Sequence, residues 1–247
     1  MNISIASRRP ALSLTGLLLA LAAIAAVLLA GIGYRQGWWH FLQGLQIAEW
    51  AVYAAALGMV LSLAGAITSR PSHQPRRRGF VSGLLGVLLA LPVLGMALQW
   101  EVATRTYPAI NDISTDTEDP PVFWDMPNPT EYPGETFAAL QRTGYPDIAP
   151  LLVKQAPDAV YAQALVLVNE RGWAVVASDA AEGRIEAVAI SRLFGFADEV
   201  ALRISPADGG ARVDMRSRSR LGKIDRGTNA QRIRAYLDDL NKRMGQP

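Results

Sequence analysis

The sequence predicts a chain made of two materials: three transmembrane helices, then an α+β two-layer domain built as helix, four-stranded antiparallel sheet and helix. Three observations predict this. First, of 22 acidic residues in 247 only Glu49 falls among the first hundred, and of 24 basic residues only seven do: Arg8, Arg9, Arg35, Arg70, Arg76, Arg77 and Arg78. Half of the chain is apolar and the mean hydropathy is +0.14, so the average conceals an oily part joined to an ordinary soluble part. Second, the first part holds three long runs without charge. Third, beyond Pro157 a helical period, four short runs separated by polar turns and another helical period follow one another. Together these exclude a single soluble globule and a purely integral transporter. The expected divisions are a three-helix region at 1–101, a Pro-rich extended linker or arm at 102–133, and the α+β domain at 134–247.

The first apolar run, residues 11–30, spans about 30 Å at 1.5 Å per residue, the thickness of a bilayer's hydrocarbon. A second, residues 50–68, begins just after Glu49, and a third, residues 80–100, contains Pro92. Lipid offers a bare backbone no hydrogen bonds, so each crossing must be helical, with a kink expected at Pro92. Trp38, Trp39, Trp50 and Trp100 mark interfacial ends. Ala54-x-x-x-Gly58 and Gly83-x-x-Gly86 supply small residues where helices of the same chain can approach closely. No charge lies mid-span, so nothing suggests an ion or proton pathway.

The arginines give the orientation. Arg8 and Arg9 precede the first span and Arg70, Arg76, Arg77 and Arg78 fill the second loop, while the first loop holds only Arg35. Positive charge is retained on the cytoplasmic side. The N-terminus and second loop are therefore expected in the cytoplasm of a bacterial inner membrane, and the C-terminal domain on the periplasmic or extracytoplasmic side. Ser7-Arg8-Arg9 before an apolar run has the form of an export signal, but no small-residue cleavage site follows before Tyr34, so the run reads as a retained span.

The chain has no cysteine and two histidines, His40 and His73. Thiolate nucleophiles, iron–sulfur clusters and cysteine-ligated zinc are excluded. Because both histidines fall in loops of the membrane part, the soluble part has no imidazole, and triads that need one are excluded within this chain. Chemistry there would rest on carboxylates, arginines, hydroxyls or Lys154, Lys223 and Lys242. No cofactor is expected.

Six prolines between residues 102 and 133 argue for an extended segment, either a spacer or an arm laid on the domain. Its acids Asp112, Asp116, Glu118 and Asp119 do not have the spacing of a calcium loop and read as turn-capping and solvating groups. Residues 135–142 are a short helical candidate around Phe137 and Leu140. Pro157 at a first turn opens a helix with Val160, Ala164, Leu167 and Val168 on one face, stopped by Gly172. The strand candidates are residues 173–178, 184–191, 199–205 and 211–219, with polar turns between them. Val200, Leu202 and Ile204, with Val213 and Met215, form an apolar face. Glu199, Arg203, Arg212, Asp214 and Arg216 form a charged face that is expected to be open. The closing helix carries Ile233, Tyr236, Leu237 and Leu240 at i, i+3, i+4 and i+7, with Thr228 and Gln231 spaced as a capping box.

Charge is uneven within the soluble part: residues 101–200 hold 16 acidic and 6 basic groups, and residues 201–247 hold 5 and 11. Strand alternation puts Arg212, Arg216, Arg218 and Arg220 on one face, with Lys223 just beyond. Such a face either pairs with Glu186, Glu199 and Asp214 as a solvated ion network, or holds a phosphate or carboxylate beside the first amides of the closing helix. Nucleic acid is a poor match, because the domain is net acidic and no aromatic residues interleave the arginines. An anionic lipid beside the bilayer anchor suits the charges better.

Several segments resemble an uncharacterised family: Ile110-Asn-Asp-Ile-Ser-Thr-Asp, Gly172-Trp173, Arg184-Ile-Glu-Ala, Phe194-Gly-Phe-Ala-Asp-Glu-Val, and above all the run from Asp214-Met-Arg-Ser-Arg-Ser-Arg to Ala230-Gln-Arg-Ile. The family is domain of unknown function fourteen ninety-nine, and the resemblance covers roughly residues 107–240. It implies no reaction. It places weight on Asp112, Arg216, Ser217, Ser219, Arg220, Gly222, Asp225, Gly227, Asn229 and Arg232. Of these Gly222 and Gly227 read as turn residues, and Asp225 and Asn229 as ligands for the amides at the helix start. Arg216 and Arg220 remain the functional candidates, which Asp112 joins only if the arm folds back over the sheet.

The resulting expectation is a multi-pass membrane protein whose domain binds or assembles with an anionic envelope partner: a lipid headgroup, a cell-wall precursor or an acidic protein segment. The rival expectation is a carboxylate-dependent envelope hydrolase using Asp112 or Glu186.

Overall fold

Three apolar helices open the chain: α1 (Arg9–Arg35), α2 (Phe41–Thr68) and α3 (Arg77–Thr106). Each is long and apolar enough to cross a membrane. The structure, a computed structural model, describes residues 9–70, 77–127 and 131–245, with backbone alone at 9, 10, 77 and 78. Arg8, Arg76, His73 and Pro129, on which sequence expectations rest, lie outside the described residues. The chain divides into two compact units, Met1–Val102 with Arg192–Gly195, and Ala103–Ser191 with Phe196–Pro247.

Within the first unit, helix α2 starts well before the expected residue 50. His40 caps it, accepting from the Leu42 amide at 3.4 Å while Gln43 Oε1 accepts from the His40 amide at 3.0 Å. A capping box of this kind fixes a helix start whatever the hydropathy of the turns that follow. Glu49 therefore lies inside α2, where it accepts a hydrogen bond from the Tyr53 hydroxyl at 3.0 Å. The helices pack through small residues. A Cβ on Gly16 would lie 2.5 Å from the Ser62 amide nitrogen, one on Gly83 2.7 Å from the Ser62 carbonyl oxygen, and one on Gly86 3.1 Å from Leu17 Cα. Ala20, Ala23, Ala51, Ala55 and Ala90 are buried in the same seam, while Leu14, Leu18, Leu57 and Leu88 point outward. Lipid is as apolar as leucine, so close backbone approach and van der Waals contact must hold these helices together. Pro92 is accommodated within α3.

In the second unit the strands β1 (Asp112–Ser114), β2 (Leu151–Val153), β3 (Ala174–Asp179), β4 (Arg184–Ile190), β5 (Ala197–Ala207) and β6 (Gly210–Ser219) form one sheet. Its order is β1-β6-β5-β4-β3, with β2 also paired to β6. All pairings are antiparallel. The four longer strands fall close to the four expected runs. The expected four-stranded sheet is corrected to six, because β1 and β2 are three-residue pieces along the outer edge of β6, too short to show a period of two. Helices α5 (Pro157–Glu170) and α6 (Thr228–Arg243) cover one face. Val160, Ala164, Leu167, Ile233, Tyr236 and Leu240 meet Ile185, Val200, Leu202, Val213 and Met215 in a sealed core.

The opposite, charged face is not open as expected. Residues 115–127, continuing from β1, lie across it, and Phe123 and Met126 are buried there against Val188 and Ala201. The uncharged sites Val188 and Ala201 give an apolar arm something to pack on. The preceding segment is not wholly extended either, since α3 continues to Thr106. Helix α4 (Glu135–Gly144) follows the arm, and its buried Gln141 bonds both the amide and the carbonyl of Ser114.

Candidate functional site

Alternation along β6 sets the site. Arg212, Asp214, Arg216 and Arg218 project to the arm side, and Val213, Met215, Ser217 and Ser219 to the helix side. The β1 register sets Asp112 opposite Arg218 and Ser114 opposite Arg216, and the Asp112 carboxylate reaches diagonally to Arg216. Arg216 Nε and Nη2 donate to its two oxygens at 2.9 and 2.7 Å. On the other side β5 places Glu199 opposite Arg218. Glu199 accepts from Arg218, and from Arg220 Nε at 3.0 Å. Further out, Arg212 donates to Asp214 and Asp116, Arg203 to Asp119, and Arg184 to Glu186 and Asp125.

The arm completes this ladder. Pro121 gives its carbonyl to Arg216 at 3.2 Å. The Phe123 ring centroid lies 4.7 Å from the guanidinium carbons of both Arg216 and Arg218, so one aromatic ring serves two cations. The amides of Trp124 and Asp125 donate to the two oxygens of Glu186 at 2.9 and 3.1 Å. Tyr132 stands 5.6 Å from Arg216, and burial followed by the Asp112 charge pushes its hydroxyl up to about 12. Asp112 and Arg216 are each 1 % exposed, and Glu186, Glu199 and Asp214 are fully buried. Charges so placed survive only with partners, and each of these has them.

On the helix side a second network joins β6 to α6. The Ser217 hydroxyl donates to Asn229 Oδ1 at 2.8 Å, and Asn229 Nδ2 donates to Ser219 Oγ at 3.0 Å. Arg232 donates to Ser217 Oγ at 2.9 Å and to Asp198 at 2.5 Å. Asp225 takes the amides of Gly227 and Asn229 at 2.9 and 2.8 Å. Two expectations are thereby corrected. Gly227, with φ of 83°, is the residue before the helix, so Thr228 is its first helical residue and not its cap. The first amides of α6 are also not left for an outside anion, because Asp225 takes that of Thr228 on its carbonyl and that of Asn229 on its carboxylate.

The structure therefore sorts the sequence candidates. Arg216 and Arg218 lie sealed beneath the arm, with Asp112 beside Arg216. The Arg212 and Arg220 side chains are 36 and 32 % exposed, and Lys223 is exposed. Asp225, Asn229 and Arg232 hold the start of α6. Sequence reasoning missed Phe123 as the ring between the arginines, and Asp116, Asp119 and Asp125 as their counter-ions. The available signal was the match of acids along the arm to the basic excess of the last strand. Among the described residues no group of three or more acids or histidines is placed to hold a metal ion.

Fold and site define first a class: an α+β domain, its charged face strapped by its own chain, following three helices able to span a membrane. The chain belongs to DUF1499, a protein family of unknown function, whose model matches residues 112–240. The match opens at Asp112 and closes at Leu240, so it takes in the whole sheet and nearly all of α6 while the three apolar helices fall outside it. A search of the curated proteins finds no match.

Proposed function

We propose that this is a multi-pass protein of a bacterial plasma membrane, with the N-terminus and the second loop in the cytoplasm, whose C-terminal domain acts outside the cytoplasm as a binding or assembly module for an anionic envelope partner. The arginines flanking the spans support the orientation. One observation carries the binding reading: the acids of the sheet face are consumed internally, while the cations beyond it reach solvent. Asp112 gives both oxygens to Arg216, and Glu186 gives both to backbone amides. A general acid or nucleophile must reach its substrate, which weighs against the rival envelope hydrolase. Arg220 and Lys223 are the accessible positive groups at the end of the ladder. The reading thus moves from Arg216 to the rim.

Two measurements test it. A phosphatase that works only after export, fused to the C-terminus, is expected to be active, and an inactive fusion overturns the orientation. Purified full-length protein is expected to bind an anionic envelope component, and R220E/K223E to lose that binding. Unchanged binding in a folded double variant overturns the binding reading.

A further inference from the structure

The loop joining β6 to α6 is basic, partly apolar and held to the end of a membrane-crossing helix. Arg220, Lys223 and Arg226 lie within seven residues, and the single acid among them, Asp225, is turned inward to the amides of α6. Ile224, next to exposed Lys223, shows 36 % of its surface. Arg226 Nε donates to Thr104 Oγ1 at 2.8 Å, and Asn111 Nδ2 to the Gly222 carbonyl at 2.7 Å. Arg226 has φ of 54°, the one positive value among described non-glycine residues, and Gly227 follows at 83°. Such a conformation is disfavoured for a residue with a Cβ and persists only where its surroundings hold it. Here it accompanies the contact between the loop and α3.

That contact lies close along the chain to the end of the third apolar run. Trp100 is 47 % exposed at the end of the apolar run, and an exposed tryptophan there sits at headgroup level. Thr104 follows one turn later in α3, about 6 Å along the axis. Arg226 is thereby bonded to the turn of α3 that follows the apolar run.

We propose that residues 220–226 bind the anionic phospholipid headgroups of the leaflet from which α3 emerges, through Arg220, Lys223 and Arg226, with Ile224 resting at the acyl boundary. This names the anionic partner of the preceding reading and rests on it. Guanidinium groups match phosphate oxygens in geometry, and lysine adds a point charge. The attraction to an anionic surface grows with each added cation.

The test uses the full chain, solubilised from a membrane of equal phosphatidylglycerol and phosphatidylcholine, with retained lipid counted by native mass spectrometry. The natural protein is expected to retain phosphatidylglycerol preferentially. The preference should fall at least about fivefold in R220Q/K223Q/R226Q, roughly what one cation at the surface supplies, and be unchanged in K154Q/K242Q. Equal preference in the triple variant and the natural protein overturns the proposal. Because Arg220 and Arg226 also make internal bonds, a second measurement leaves all three cations in place. The chain has no cysteine, so Ile224→Cys carries a single environment-sensitive fluorophore. Its emission in nanodiscs should move to the blue when phosphatidylglycerol replaces phosphatidylcholine, and return in about 1 M salt, where screening shortens to about 3 Å. Identical spectra in the two lipids overturn the proposal. Displacement of the blue shift by millimolar glycerol phosphate would point to a free phosphate ligand and overturn the lipid assignment. An inactive phosphatase fusion removes the parent reading, whereas an active fusion without lipid preference removes the lipid contact alone.

Discussion

Arg216 and Asp112 form a two-bond ion pair, at 2.9 and 2.7 Å, in which neither residue is more than 1 % exposed. The pair joins the first residue of the arm's strand to the middle of β6, more than a hundred positions away. Removing one partner leaves the other charge buried and alone, which typically costs about 3–5 kcal/mol. Asp112→Ala should therefore destabilise the domain by that amount, measured by denaturant unfolding of the detergent-solubilised chain. The double replacement D112L/R216M, which removes both charges, should recover most of the loss. A cost below about 1 kcal/mol for Asp112→Ala would show that water reaches Arg216.

The arm is held at Phe123, whose ring meets two guanidinium groups and packs against Met126, Val188 and Ala201. Phe123→Ala should cost about 3–5 kcal/mol, the usual loss for a buried phenylalanine. Phe123→Leu keeps most of the apolar volume and loses the ring's attraction for the cations, so it should cost about 1–2 kcal/mol. Limited proteolysis supplies a local readout. Cleavage within residues 115–127 should accelerate in Phe123→Ala while the core of α5 and α6 stays protected, and equal cleavage rates would refute a strap fixed at this ring.

How far the sequence could be read follows from the same residues. Strands β5 and β6 and helices α5 and α6 carry enough periodic positions to reveal both their type and their buried face, as with Val200, Leu202 and Ile204, whereas β3 and β4 were legible only as short runs between turns. Strands β1 and β2, at three residues, have no readable period, and β1 lies among prolines and acids that signal a linker. The face bearing Arg216 was legible as charged, but not as covered. A cover built from one phenylalanine, one methionine and backbone amides leaves no periodic trace, and its aspartates are easily taken for solvating groups. Glu186 makes the point: its carboxylate is neutralised partly by the amides of Trp124 and Asp125, which any sequence possesses. At the start of α6 the capping-box spacing of Thr228 and Gln231 was misleading because Asp225, three residues earlier, reaches the amides first.

Tyr145 offers a test with the opposite sign. It is 1 % exposed, and its hydroxyl has no hydrogen-bond partner among the described residues. Burial pushes that hydroxyl's pKa upward, so it stays neutral at any ordinary pH. An unpaired buried hydroxyl costs free energy that its removal recovers. Tyr145→Phe should therefore leave stability unchanged or raise it by up to about 1–2 kcal/mol, with the ring's contact to Tyr107 preserved. A loss above about 1 kcal/mol in the same unfolding assay would reveal a partner for the hydroxyl.

Asp225 gives the domain a pH dependence of predictable sign. Its carboxyl is pushed above the ordinary 3.8, with burial outweighing the amide hydrogen bonds from Asn229 and Gly227 that pull it down. Between 3.8 and the raised value the folded protein holds this proton more tightly than the unfolded chain. Stability from this group is therefore fully present below 3.8 and falls as pH rises through the window, by at most about 1.4 kcal/mol per pH unit. The Asp147–Arg234 pair acts oppositely, since Arg234 holds the Asp147 carboxyl below its usual range and its contribution is lost on acidification. The raw curve thus mixes both signs, and comparison with Asp225→Asn isolates one. The variant keeps a single acceptor for the amides of α6, so it carries a fixed penalty that does not change with pH. The stability of the natural protein relative to Asp225→Asn should accordingly decline from pH 3.5 upward and level off once Asp225 is ionised. A difference that is flat across this range would mean that the amides of Gly227 and Asn229 balance the cost of burial, and one that rises with pH would mean that they outweigh it.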